Sequence, residues 1–169
     1  MKKIFTKIIL LFTLISSLQA QNAPIMSVTD IIGKKYTIKG TEHGLSIKGL
    51  EGKVIFLEFF GHRCPPCLAT IPHFIDIKKQ YKEKLAIIAI EVQGLNNNQL
   101  KTFANQKGIN YITIAQENAS ILIDYIQQRA QWRGSIPFLV AMDTKGNVQF
   151  VQAGMIPEIS LKKLIEKLK

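Results

Sequence analysis

Cysteine is nearly absent from this chain of 169 residues, which has only Cys64 and Cys67. Only Pro65 and Pro66 lie between them, in "GHRCPPC" (61–67). So few cysteines exclude a disulfide framework. With 47% apolar residues, the chain can build a core without one. Metal ligands are scarce too. Three histidines, His43, His62 and His73, and no second paired-cysteine motif fall short of the usual four-ligand zinc site. Met26, Met142 and Met155 show no metal-ligand spacing, and Met142 reads as core. No arginine stripe with interleaved aromatics is present, which argues against a nucleic-acid partner. No repeat or low-complexity tract occurs, and the length suits one domain.

Long hydrophobic runs are also missing, with one partial exception. Ile8 to Leu18 is apolar apart from Thr13 and the Ser16–Ser17 pair, about half of the ~20 residues a membrane span needs. Lys2, Lys3 and Lys7 precede it, and Ala20 is a small residue suited to cleavage. Residues 1–20 are therefore expected to be an export signal, with a retained membrane anchor as the alternative. No cysteine follows the run, so a lipid-anchored lipoprotein is not expected. Loss of 1–20 removes three lysines and no acid, lowering the formal charge from +10 to +7. The remaining lysines are scattered or C-terminal, as on a solvated surface with a weak preference for anionic partners.

Residues 21–29 read as a flexible leader and 30–169 as the folded domain. "KKYTIKG" and "HGLSIKG" predict a small N-terminal hairpin. "KVIFLEFF" (53–60) is a nearly continuous apolar run, the pattern of a central strand buried on both faces. A helix follows "GHRC", because prolines suit a first helical turn. Its expected apolar stripe is Leu68, Ile71, Ile75 and Ile77 to Tyr81, and Pro72 should kink it. "KLAIIAIEV" (84–92) predicts a second buried strand, "NNNQLKTFANQKG" a helix ended by Gly108, "INYITIA" a third strand and "ENASILIDYIQQRA" another helix. "PFLVAMD" and "VQFVQAG" flank the turn "TKGN" as a hairpin. "PEISLKKLIEKLK" closes as a helix with Ile159, Leu161, Leu164, Ile165 and Leu168 as its apolar face. The order β-α-β-α-β-α-β-β-α belongs to an α/β domain, a mixed sheet between helices.

The Cys64–Cys67 pair has three readings: structural disulfide, metal clip or redox centre. A ring this short stabilises little, because loop-closure entropy grows with loop length. Two cysteines make a poor metal site. A helix start favours the redox reading: unsatisfied N–H groups and the dipole stabilise a Cys64 thiolate. Arg63 adds positive charge nearby, as does His62 whenever it is protonated. Cys64 is then the attacking thiol and Cys67 the resolving one. Glu58, alone among apolar neighbours, is expected to be desolvated, with a raised pKa, and able to exchange a proton with Cys67. The solvated alternative puts it at the sheet edge. Pro137 in "SIPF" invites a cis bond that sets the Ile136 backbone beside the cysteines to pair with a substrate strand.

These features together resemble the thioredoxin superfamily, and more closely the exported TlpA/ResA-like thiol–disulfide oxidoreductases, over about residues 30–169. The resemblance rests on Glu58 six residues before the first cysteine, on C-P-P-C at a strand–helix junction and on Pro72 five after the second cysteine. "RGSIPFLVAMDTKGNV" resembles the cis-proline loop and its hairpin, and residues 94–115 a helix–strand insert. The resemblance implies a thioredoxin fold, Cys64 as nucleophile, Cys67 as resolving thiol, Glu58 as proton-transfer acid and cis Pro137. It implies a periplasmic reductant of protein disulfides, acting on exported thiol- or disulfide-bearing proteins such as apocytochrome c. Electrons would come from a membrane thiol carrier, with no cofactor beyond the cysteine pair.

Two positions depart from that pattern. Arg63 stands where the family usually has Trp, and Thr70 where exported reductases often carry Glu. Trp132 is the one tryptophan. It either stands in for the missing aromatic or packs at a helix end. His43 and His73 read as surface or packing residues. The alternatives to a reductant are a disulfide oxidant or isomerase using the same site, and a metal-binding or scaffold module.

Overall fold

The computed structural model describes residues 23–169. The expected signal at 1–20 lies outside the described residues, as do the first two residues of the expected leader. The rest of that leader is corrected. Ile25–Thr29 is strand β1, antiparallel to β2 (Lys35–Gly40), with Met26 facing Ile38 and Val28 facing Tyr36. β3 (Leu45–Ile47) pairs on the other side of β2, so the expected hairpin is part of a three-stranded sheet. Met26 and Val28 are buried while Ile25 and Ser27 are exposed. Alternation resting on only two apolar residues is too short to register as a period in the sequence.

A five-stranded sheet, order β6-β5-β4-β7-β8, forms the centre. β4 (Val54–Phe60), β5 (Leu85–Glu91) and β6 (Ile112–Ala115) run parallel. β7 (Phe138–Met142) is antiparallel to β4, and β8 (Val148–Ala153) to β7. All residues of β4, β5 and β7 are buried, as expected for strands covered on both faces.

Alternate residues of those strands feed two core layers. Ile55, Leu57 and Phe59 of β4, with Ile88 and Ile90 of β5, pack against the N-terminal sheet and helix α3 (Ser120–Ala130). Val54 and Phe56, with Leu85 and Ile87, pack on the opposite face against α1 (Pro65–Gln80) and α4 (Glu158–Leu168). Glu58 and Phe60 continue that second face, because side chains alternate with a period of two.

α1 buries Cys67, Thr70, Ile71, Phe74 and Ile77, a stripe at helical spacing. This differs from the expected one: Leu68 and Ile75 are half-buried and Phe74 is central. A start at Pro65 turns the helix so that Cys67, not Leu68, faces the sheet. The helix continues through Pro72. α2 (Asn97–Lys107) carries a capping box between Asn96 and Gln99, and Gly108 ends it at φ 67°. In α4, Leu161, Ile165 and Leu168 are buried, whereas Ile159 is exposed, being well off their stripe. α2 and β6 together form the helix–strand insert expected at 94–115.

Candidate active site

β4 ends at Phe60, and the chain passes through Gly61 to the cysteines. Gly61 leaves room for the Gln93 side chain: an added Cβ would sit 2.3 Å from it, and that side chain would have to shift. Cys64 is the N-cap of α1, and Pro65 and Pro66 occupy its first turn. The Cys64 sulfur accepts a hydrogen bond from the Cys67 N–H at 3.3 Å. This places a thiolate, once formed, at the positive end of the helix. The two cysteines are joined in a disulfide with Cα atoms 5.2 Å apart. Cys64 is 7% exposed and Cys67 0%, so an incoming sulfur reaches Cys64 first. Phe60, Ala89, Leu100 and Ala115 pack around them.

Glu58 lies in mid-sheet, paired with Ala89 on one side and Leu139 on the other. It is buried, which sets aside the solvated edge position. Its hydrogen-bond donor is the Thr70 hydroxyl, 3.4 Å from Oε1, which also lies 2.8 Å from the Cys67 carbonyl oxygen. The Thr70 hydroxyl thus lies between Glu58 and the backbone of Cys67, with one proton to give to either. Burial pushes the Glu58 pKa up to about 8, and the Thr70 hydroxyl offsets only part of that. A cavity of about 10 Å³ beside it is lined by Thr70, Phe74, Pro137, Leu139 and Ile156. Tyr111 packs edge-on against Phe74. Burial, and then the Glu58 charge, hold its phenol well above its ordinary pKa, so it stays protonated.

The Ile136–Pro137 bond is cis. Ile136 packs against the cysteine cluster, so the loop lies beside the disulfide. Trp132 does not cover the cysteines. It stacks on Phe138 and Phe59 in the core layer of the opposite face, and its Nε1–H donates to the Ser135 carbonyl at 2.7 Å. It therefore packs at the end of α3 and braces the proline loop. Arg63 is exposed, with its backbone N–H donating to Gln93 Oε1 at 2.8 Å.

The sequence reading missed Glu91. It ends β5, is fully buried and pairs with His62, whose Nδ1 lies 2.8 Å from Oε1. The signal that singled out Glu58, one acid in an apolar run, is present here too. Among the described residues no group of three or more His, Cys, Asp or Glu side chains could hold a metal ion.

Comparison with known proteins agrees with this geometry. The thiol-disulfide oxidoreductase ResA of Bacillus thuringiensis (strain Al Hakam) is 30% identical over 129 residues, covering 76% of this chain and 65% of its own. The chain thus spans about two thirds of the length of the first such relatives. The thioredoxin-like protein YneN of Bacillus subtilis (strain 168) is 23% identical over 150 residues, 88% of this chain and 79% of its own. Among solved structures, a thiol:disulfide interchange protein of the thioredoxin family from Chlorobium tepidum TLS superposes with a TM-score of 0.68. It is 23% identical and covers 87% of this chain and 94% of its own. The fold is the thioredoxin fold. Residues 20–151 match the AhpC/TSA family, and the chain belongs to that family.

Proposed function

We propose that the protein is a thiol–disulfide oxidoreductase that reduces disulfides in exported proteins. The observation that carries this is the graded burial of one disulfide: Cys64 at a helix start with a small exposed part, Cys67 fully enclosed behind it. In the reduced chain the Cys64 thiolate attacks a substrate disulfide. A mixed disulfide forms, and one substrate sulfur leaves as a thiolate. Cys67 then gives its proton to the Glu58 carboxylate and attacks the Cys64 sulfur. The second substrate thiolate departs, and the chain is left with the Cys64–Cys67 disulfide. Two electrons have moved to the substrate, and a partner dithiol restores them.

A Glu58 pKa of about 8 supports the proton step, because both of its forms are accessible near neutral pH. Ile136, next to cis Pro137, offers its backbone to an extended substrate segment, and Arg63 borders the approach to Cys64. The reductive direction is supported by the spacer: two prolines bring no histidine or other cation into the first turn to stabilise the thiolate. The same residues run in reverse would make an oxidant. Export to the periplasm, a membrane thiol donor and apocytochrome c as substrate belong to this proposal, carried by the sequence of 1–20 and by the resemblance to ResA.

The test is trapping. In cells expressing Cys67→Ala, substrates accumulate on Cys64 as adducts released by dithiothreitol. Their absence, with Cys64 intact, contradicts the assignment of Cys64 as nucleophile.

A further inference from the structure

Glu58 and Glu91 lie on the same face of neighbouring parallel strands, two residues apart in register: Glu58 pairs with Ala89, and Phe60 with Glu91. Their surroundings differ sharply. Glu58 has one distant donor. Glu91 accepts four. Its Oε1 takes the backbone N–H of His62 at 3.3 Å, His62 Nδ1 at 2.8 Å and the N–H of Gln93 at 3.0 Å, and its Oε2 takes the N–H of Leu95 at 3.0 Å. Only an acceptor-only side chain with two oxygens meets this set. Gln93, two residues on, accepts the N–H of Arg63 and lies directly over Gly61. Three successive residues before Cys64 are therefore docked onto the end of β5 and the segment that follows it.

We propose that Glu91, with Gln93, is a clamp that positions Cys64 for the redox reaction. It acts through His62 and Arg63 and does not touch the substrate. The thiolate at the N-cap is stabilised only while its sulfur stays aligned with the first-turn N–H groups, and that alignment depends on how the chain approaches the helix. Glu91 and Gln93 fix that approach. The proposal rests on Cys64 being the attacking thiol, as proposed above.

Glu91→Gln tests it. Glutamine keeps the size but turns one acceptor into a donor that faces N–H groups. The readout is the pH dependence of alkylation by iodoacetamide in the reduced full chain, with the modified cysteine identified by mass spectrometry. Loss of alignment moves the Cys64 midpoint up and slows alkylation at pH 7 by about threefold or more, the effect of half a unit in thiol ionisation. Simple removal of a negative charge moves the midpoint down. A downward or absent shift in folded Glu91→Gln therefore overturns the clamp. Gln93→Ala removes the Arg63 contact without changing any charge and should also shift the midpoint up. If Glu91→Gln does not fold, Gln93→Ala decides, and an unchanged midpoint there overturns the proposal. Faster alkylation of Cys67 than of Cys64 in the unaltered chain contradicts the nucleophile assignment instead. The clamp is then still judged by the Cys64 midpoint.

Discussion

At the scale of single residues, two buried glutamates serve the same corner of the molecule under opposite conditions. Glu58 was legible because a lone carboxylate in "VIFLEFF" has nowhere polar to go. Glu91 carries the same signal but sits last in its strand, where solvent is the ordinary expectation. Its four donors come from residues that only the fold brings near. The Glu58 assignment has two consequences. Its pKa is raised from 4.5 to about 8 on folding, so the folded state binds the extra proton and the unfolded state does not. Stability of the oxidised chain should therefore fall as pH rises from about 4.5 to about 8, by on the order of a few kcal/mol at most. Glu58→Gln should remove that slope. Urea unfolding at several pH values measures it, and equal slopes in the two proteins contradict the burial argument. In the reduced protein, Glu58→Gln should slow release of the mixed disulfide near neutral pH, seen by stopped-flow with a model disulfide, while formation of the adduct is little changed.

At the scale of elements, α1 links the chemistry to the core. Its first turn carries Cys64 and Cys67, its second Thr70 and its third Phe74, which lies between Phe56 and Tyr111 with ring centroids at 6.5 and 6.1 Å. Phe74→Ala should cost about 3–5 kcal/mol in unfolding free energy. A loss below about 1 kcal/mol would show that the neighbours collapse into the space. Elements were read well where periodicity was long. β4, β5, α2 and the β7–β8 hairpin fall where the sequence placed them. β1 was not read, because its strand character comes from pairing with β2. The phase of α1 was misread because Ile75 and Leu68 are as apolar as Phe74, and only the position of Pro65 sets which of them faces inward. The side of the sheet taken by Trp132 was equally hidden. Composition does not say that Phe59 and Phe138 meet on that face.

At the scale of the whole molecule, the sheet separates a supporting layer from a reacting one. The N-terminal sheet, α3 and Trp132 fill the first. α1, α4, both glutamates and the cysteines share the second. The proline loop crosses between them, braced from below by Trp132 and touching the cysteine cluster through Ile136. The cysteines sit where the parallel strand β4 gives way to its helix, so the Cys64 sulfur lies nearest the rim while the Glu58 carboxyl stays inside. In the proposed function this arrangement is an exchangeable, reducing couple. Its most direct test is the reduction potential of Cys64–Cys67, measured by equilibrating the chain with dithiothreitol or glutathione buffers. A value near or below about −250 mV, on the thioredoxin side of the scale, is the result predicted. A value near about −120 mV, beside the strong oxidants, or a disulfide that does not exchange at all, would contradict the account.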